Sequence, residues 1–444
     1  MKLKKLNIFE FDEFSKNHPL GSYHQSSSFG MLMSENKFDY ELIGMIDNDD
    51  NIVAASLILI KRIGLLFRYG YAPKGFLIDY TNIDLLKEFC HLLKKRYYRK
   101  NLAFIKINPE IVIGTLKNNE IEYNDNKKII DTLTSIGFTK LMDNKFFESM
   151  LPRYNAALYI KDFNINSVDK RTRNKIRKST KKGFSLIKGE RKDIDVLYPF
   201  IKKKKNVSKL HYYNYYNVFS KNDSIDVFLV KLDFETALIS AKNNYEKELD
   251  RNNILVNRLM TNNNSENIRK KMESDTILNS INSDISYITK RLASKHDEYV
   301  AGAITIKYKN RVSILISGYD TNYKQFNPNY YLHHQLIEYY KNDYEYLDLN
   351  GITGDFSDDN PYKGLNEFKL GFNPNAFELI GEFDLIINEG IYINMDNNGI
   401  LLKEFDRSQK NKPTTEEKVQ KIKEIKPAKE IKEKKKSFIT ITKK

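Results

Sequence analysis

From position 236 to 297 the chain contains neither proline nor glycine. Apolar residues there recur at steps of three and four: Leu238, Ala241, Tyr245, Leu249, Val256 and Leu259, then Leu278, Ile281, Ile285, Ile288 and Leu292. That rhythm is helical. The polar break TNNNSEN at 261–267 divides it in two. The pattern predicts an antiparallel helical hairpin, zipped as a coiled coil, over 236–297. It either projects as an arm or packs on the body as a two-helix excursion, and the sequence allows both. Its cations, among them Lys242, Arg251, Arg258, Arg269, Lys270 and Lys271, are candidates for docking RNA or a partner subunit.

The residues on either side alternate strand and helix patterns, so the hairpin reads as an insertion in an α/β protein. After it come EYVAGAITIKY and RVSILISGYD as strands, FNPNYYLHHQLIEYYKN as a helix, and YEYLDLNG as a strand. Before it, 40–46 and 52–63 read as a hairpin around Asp47–Asp50, and 84–98 as an amphipathic helix. We divide the chain into a first unit at 1–153 and a second at 154–235 and 298–390, interrupted by the insertion at 236–297. A C-terminal extension follows at 391–444. Within it, IYINMDNNGILLKEF reads as a last strand pair. From about 408 the chain is rich in Lys and Glu and low in complexity, which reads as disorder.

Charge adds a constraint. Lysine and arginine outnumber acids 73 to 58, a net of +15. The segment 403–444 carries 15 basic and 7 acidic residues, more than half of the excess. The body is moderately basic and suits a polyanionic partner without choosing among RNA, pyrophosphate and an anionic membrane surface. The single cysteine, Cys90, lies in the apolar run LLKEFCHLL and reads as a small buried hydrophobe. One cysteine cannot form an internal disulfide, and MKLKKLNIFEFDEF has no signal-peptide core. We expect a cytoplasmic protein.

The most distinctive chemistry lies at 347–384, LDLNGITGDFSDDNPYKGLNEFKLGFNPNAFELIGEFD. Leu347 and Leu349 alternate with Asp348 and Asn350 as in a half-buried strand. Lys369 stands between Phe368 and Phe372, with Gly371 beside it. It reads either as a lysine snorkelling over an apolar edge or as a lysine whose stem the aromatics fix at a ligand. Upstream, the helix KRTRNKIRKSTKKG at 170–183 carries Arg173, Arg177 and Lys181 at four-residue steps. Like charges so placed repel by a few tenths of a kcal/mol per pair. This is a solvated face or a contact for phosphate or RNA.

The blocks LDLNGITGDF, GLNEFKLGF and ELIGEFD resemble the C-terminal signature of the FemABX family of bacterial non-ribosomal peptidyltransferases. Further resemblances lie in HQSSSFG at 24–30, GYAPKGFLIDY at 70–80, FIKINPEI at 104–111 and the basic helix. The family pattern departs here at Phe29, where a tryptophan is usual, and at Met33, where a lysine is usual. Lys74-Gly75-Phe76 stands for Arg-Gly-Pro, and His211 for an arginine.

The resemblance implies two GNAT-like domains, the acyl-CoA N-acyltransferase fold, with the hairpin inserted in the second. It implies transfer of an amino acid from aminoacyl-tRNA to a stem-peptide amine of a peptidoglycan precursor, building an interpeptide bridge. Lys369 would then stabilise the oxyanion or leaving ribose oxygen, and Phe368 would line the channel. His211, Tyr215, Tyr319, Lys74 and Gly75 would bind the acceptor, and Arg173, Arg177 and Lys181 would contact tRNA or another phosphate. Asp348 or Asp355 would relay the amine's proton. The acceptor would be lipid II or a nucleotide-linked muramyl pentapeptide, placing the protein in the cytoplasm, at the inner face of the membrane.

An ester donor is already activated, so we expect no cofactor and no metal. No phosphate-binding Gly-x-x-x-x-Gly-Lys motif is present. GYDTNYKQFNPNYYL at 318–332 also lacks the Gly-x-Gly that wraps a coenzyme A pyrophosphate. The alternatives are a GNAT-like N-acyltransferase with another acyl donor, or a non-catalytic binding protein on the same fold.

Overall fold

The computed structural model describes residues 1–63, 67–146, 148, 150–202, 204 and 207–405. The disorder expected from about 408 falls outside them. Among the described residues the protein is α/β, with strands in two sheets. The first sheet runs Lys2–Lys5, Asp39–Ile46, Ile52–Ile63, Phe67–Ala72, Phe104–Ile107, Phe383–Ile386 and Phe138–Lys140 in spatial order. The second runs Phe184–Gly189, Ile225–Asp233, Asp297–Tyr308, Arg311–Tyr319, Tyr346–Gly351, Tyr154–Tyr159, Asn375–Leu379, Val112–Lys117 and Glu120–Tyr123.

Each sheet has one parallel joint, Phe67–Ala72 with Phe104–Ile107 and Arg311–Tyr319 with Tyr346–Gly351. Parallel neighbours need a crossover. The helices Ile83–Tyr98 and Pro328–Tyr340 supply it. The two sheets therefore repeat one local order: antiparallel strands, a helix, then a strand parallel to the last.

The strands do not respect the boundary at 153. The hairpin 112–123 belongs to the second sheet, and Phe383–Ile386, far along the chain, pairs between Phe104–Ile107 and Phe138–Lys140 in the first. The two crossings run side by side. The Ile380 N–H donates to the Ile111 carbonyl at 2.9 Å, and both isoleucines are buried. Gly381, at φ +92, turns the chain from one sheet to the other, a backbone angle that favours glycine. An apolar seam joins the halves, with Tyr23, Phe29 and Leu57 packing in one cluster with Tyr212, Phe219 and Ile304.

Residues 236–297 form two helices, Phe234–Thr261 and Ser265–Leu292. Asp233 and Asn264 cap them by accepting the N–H groups of Thr236 and Asn267. Each is 28 residues long, about 42 Å. The base is bound into the second core through Phe234, Ala237, Ala241 and Ile288. Midway, Asn252 donates to Ser274 Oγ at 3.1 Å and Asp275 Oδ1 at 2.9 Å. Four of the six cations named above pair with acids of their own helix: Arg251 with Glu248, Arg269 with Glu273, Lys270 with Glu266 and Lys271 with Asp275.

The segment 391–405 is helical, not a strand pair, over Glu389–Asn397 and Ile400–Phe405. Asn388 caps the first helix by accepting the Ile391 N–H at 3.1 Å. Tyr392 donates to Asp384 at 3.1 Å, and Glu404 pairs with Lys61. These contacts bind the helices to the first sheet, and packing settles an apolar spacing that read equally as strand. Cys90 is buried. No helix among the described residues is long and apolar enough to cross a membrane.

Candidate active site

A cavity of about 850 Å3 is lined by residues from before and after position 153. Lys369, Phe368, Lys74, Tyr215 and Asp348 all line it. Residues from four separate stretches of sequence thus meet at one place. Asp355 does not line it, which separates the two candidate proton relays. Tyr319 ends its strand paired with Ala301 and does not line the cavity either. His211 stands behind the wall, its ring edge-on to that of Tyr215 at 5.1 Å. Gly75 has a packing role: a Cβ there would lie 2.8 Å from Gln25 Nε2. Gln25 itself clamps the loop, donating to the Pro73 carbonyl at 2.7 Å and accepting the Leu57 N–H at 2.8 Å.

Lys369 sits on the helix Lys363–Leu370. Buried Asn366 ties that helix to the preceding turn. It accepts the Thr353 N–H at 2.9 Å and donates to the Thr353 carbonyl at 3.1 Å. At the helix end a Cβ on Gly371 would fall 2.2 Å from Thr172 Oγ1, so only glycine admits this approach to the basic helix Lys170–Ser179. The Lys369 ammonium donates to the Gly351 carbonyl at 2.6 Å, which sets it at the end of the strand that carries Asp348. Phe372, just past the end of this helix, packs its ring 5.5 Å from that of Phe368. The two rings therefore pack on one another, and they do not sandwich the lysine as its sequence neighbours suggest.

The cavity also gathers charge. Arg311 pairs with Glu110 and lies 3.9 Å from Asp348. Burial pushes the Asp348 carboxyl up, with Arg311 opposing and Glu110 adding to it. Burial would raise Glu110 too, but Lys74 and Arg311 hold it below its ordinary value. Lys74 is depressed, chiefly by burial. Its backbone N–H donates to Asn108 Oδ1 at 2.9 Å. Asp348 is thus a carboxyl whose proton affinity is raised, set among cations.

The sequence alone does not single out Glu110 or Arg311. Glu110 sits inside FIKINPEI and Arg311 directly follows a turn, so each had a local signal as a strand-end charge. Their pairing joins positions 201 apart and had none. Nor does the sequence single out His333. It lines the cavity, one face of a helix that reads as ordinary core.

The loop at 321–326, where a coenzyme A site carries glycines, is a tight 3-10 turn with Tyr323 and Phe326 buried. Their rings pack on Tyr287 of the helical pair, at 6.0 and 5.8 Å. Aromatic packing fills the place and anchors the pair.

The basic helix lies outside the cavity. Arg173 donates to the Asn166 carbonyl at 2.7 Å. Arg177 borders a second groove, of about 830 Å3, with Lys161, His334 and Lys341. Among the described residues no carboxylate pairs with Arg177 or Lys181, whereas Lys182 pairs with Asp284. Also among them, no cluster of His, Cys, Asp or Glu has the makings of a metal site.

Comparison with known proteins agrees along nearly the whole chain. Residues 6–398 match the FemAB family. Aminoacyltransferase FemA of Staphylococcus epidermidis is 24% identical over 414 residues, covering 88% of this chain and 97% of that protein. Aminoacyltransferase FemA of Staphylococcus aureus is 23% identical over 420 residues, with the same coverage. The crystal structure of FemX superposes with a TM-score of 0.68 at 20% identity, over 89% of this chain and all of that one.

Proposed function

This chain belongs to the FemAB family and is an aminoacyltransferase, and from that premise we propose that it moves an amino acid from aminoacyl-tRNA to the stem-peptide amine of a peptidoglycan precursor, building an interpeptide bridge. One observation carries the reading: one cavity brings Lys369 together with Lys74, Arg311 and Asp348.

Aminolysis of an ester needs a neutral amine close to the carbonyl, positive charge where oxygen becomes negative, and a path for one proton. The amine nitrogen attacks the ester carbonyl and a C–N bond forms. The bond from that carbon to the ribose oxygen then breaks. Lys369 stabilises the oxyanion and the leaving oxygen, and Phe368 lines the channel. Asp348, whose raised proton affinity suits a relay, takes the proton from nitrogen and returns it to the ribose oxygen. The ester supplies its own activation, so no further cofactor is required. Lys74 and Tyr215 hold the acceptor, a lipid-linked or nucleotide-linked muramyl peptide. Arg173, Arg177 and Lys181 on the outer basic face meet tRNA phosphates. We read the two units as GNAT-like domains and the helical pair as an arm inserted in the second.

The test is donor dependence. Purified protein, charged tRNA and nucleotide-linked precursor are expected to give an aminoacylated precursor, and ribonuclease is expected to abolish it. Equal product from an acyl-CoA without tRNA would replace this reading with N-acyl transfer from another donor.

A further inference from the structure

The helix Pro328–Tyr340 turns two neighbouring histidines to different sites. His334 borders the outer groove, and His333, only 4% exposed, borders the central cavity. The Nδ1 of His333 lies 2.8 Å from the Asn329 carbonyl oxygen. A carbonyl can only accept, so Nδ1 carries the hydrogen. In the neutral ring Nε2 is then a bare lone pair. Neighbouring rings fix the imidazole: Phe368 packs at 4.8 Å, nearly perpendicular, and Phe372 at 5.9 Å. Burial, helped by the positive charges of Lys204 and Lys369, holds its pKa down to about 4. It is therefore a neutral acceptor beside the residue that precedes Lys369.

We propose that His333 is a further catalytic residue, whose Nε2 accepts a hydrogen bond from the N–H of the attacking amine and turns the nitrogen lone pair towards the ester carbonyl. The assignment rests on the aminoacyl-transfer reading above. The chemistry at this position favours a neutral imidazole over a charged group. A carboxylate in its place would pair with the neighbouring lysines, and an imidazolium would repel an amine. The surrounding cations also disfavour an ammonium, so amine and imidazole are kept neutral together. His333 orders the nitrogen and ends the reaction unchanged. The C–N bond forms, the C–O bond breaks, and the amine proton passes by Asp348 to the ribose oxygen.

Three substitutions separate this role from packing. Glutamine sets its oxygen near the position of Nε2, asparagine sets its polar atoms near Nδ1, and leucine keeps bulk without polarity. With charged tRNA and precursor, His333→Gln is expected to keep kcat within about threefold of the parent. His333→Leu and His333→Asn are expected to lower kcat by about tenfold to a hundredfold, with KM for the precursor unchanged. A folded His333→Leu protein that transfers at the parental rate would overturn the proposal. Should that variant not fold, nitrogen NMR of the parent protein decides. The Nε2 resonance of His333 is expected to move on binding precursor with a free amine and to stay in place with the N-acetylated precursor. Equal response to both would also overturn it. Absence of product from the parent protein would instead sink the transfer reading on which it rests.

Discussion

Lys369 concentrates the residue-scale account. Its ammonium is held at the Gly351 carbonyl by a helix that Asn366 ties to the preceding turn. Replacing it by alanine removes one stabilising contact to a developing oxyanion, an effect of about 2.7–4 kcal/mol. Lys369→Ala is thus expected to slow transfer about a hundredfold to a thousandfold, with the melting temperature nearly unchanged. Parental activity in a folded variant would make the lysine structural. At this scale the sequence was legible where cavity-lining residues sit in a local motif, as for Lys369, Phe368 and Lys74. It was less so where neighbours in sequence diverge in space. Phe372 turns into the core, and Tyr319 ends its strand away from the cavity, although Ser317 of the same strand lines it. Glu110 and Arg311 took meaning only from each other, across two sheets.

Elements were the most legible scale, because period and caps are local. The helices at 234–261 and 265–292 followed from the three-four rhythm and the polar break, and the strand pair around Asp47–Asp50 from its turn residues. The segment 391–405 went the other way: IYINM alternates like a strand, while the Asn388 cap and the docking of Tyr392 and Glu404 make it helical. The helical pair divides into a buried base and an outer part whose seam includes the polar node at Asn252. Replacing 246–280 with a short Gly-Ser link is expected to leave stability within about 1 kcal/mol, since closing a longer loop costs little. Removing all of 236–297 is expected to unfold the second unit, because Ala237, Ala241 and Ile288 leave its core. Truncating one buried isoleucine alone costs about 2–5 kcal/mol. Chemical denaturation of both deletions checks this, and equal stability would mean that the base is not core.

The exchange of strands between the sheets belongs to the whole molecule, and it was not legible at all. Nothing local in GEFDLII says that Phe383–Ile386 completes a sheet whose first strand, Lys2–Lys5, lies some 380 residues earlier. The chain therefore does not divide at 153. Expressed alone, residues 1–153 lack the strand between Phe104–Ile107 and Phe138–Lys140, and are expected to show no cooperative melting. A sharp transition from that fragment would contradict the interleaved architecture. The same architecture places the cavity, since Lys74 and Glu110 come from one side of it and Arg311, Asp348 and Lys369 from the other. The central claim is that acceptor amine and donor ester meet there. The most direct measurement is tandem mass spectrometry of precursor incubated with the protein and tRNA charged with an isotopically labelled amino acid. The label is expected in a new amide on the stem-peptide amine, formed by the parent protein and nearly lost with Lys369→Ala. Label recovered only as free amino acid, or an unchanged precursor, would contradict it.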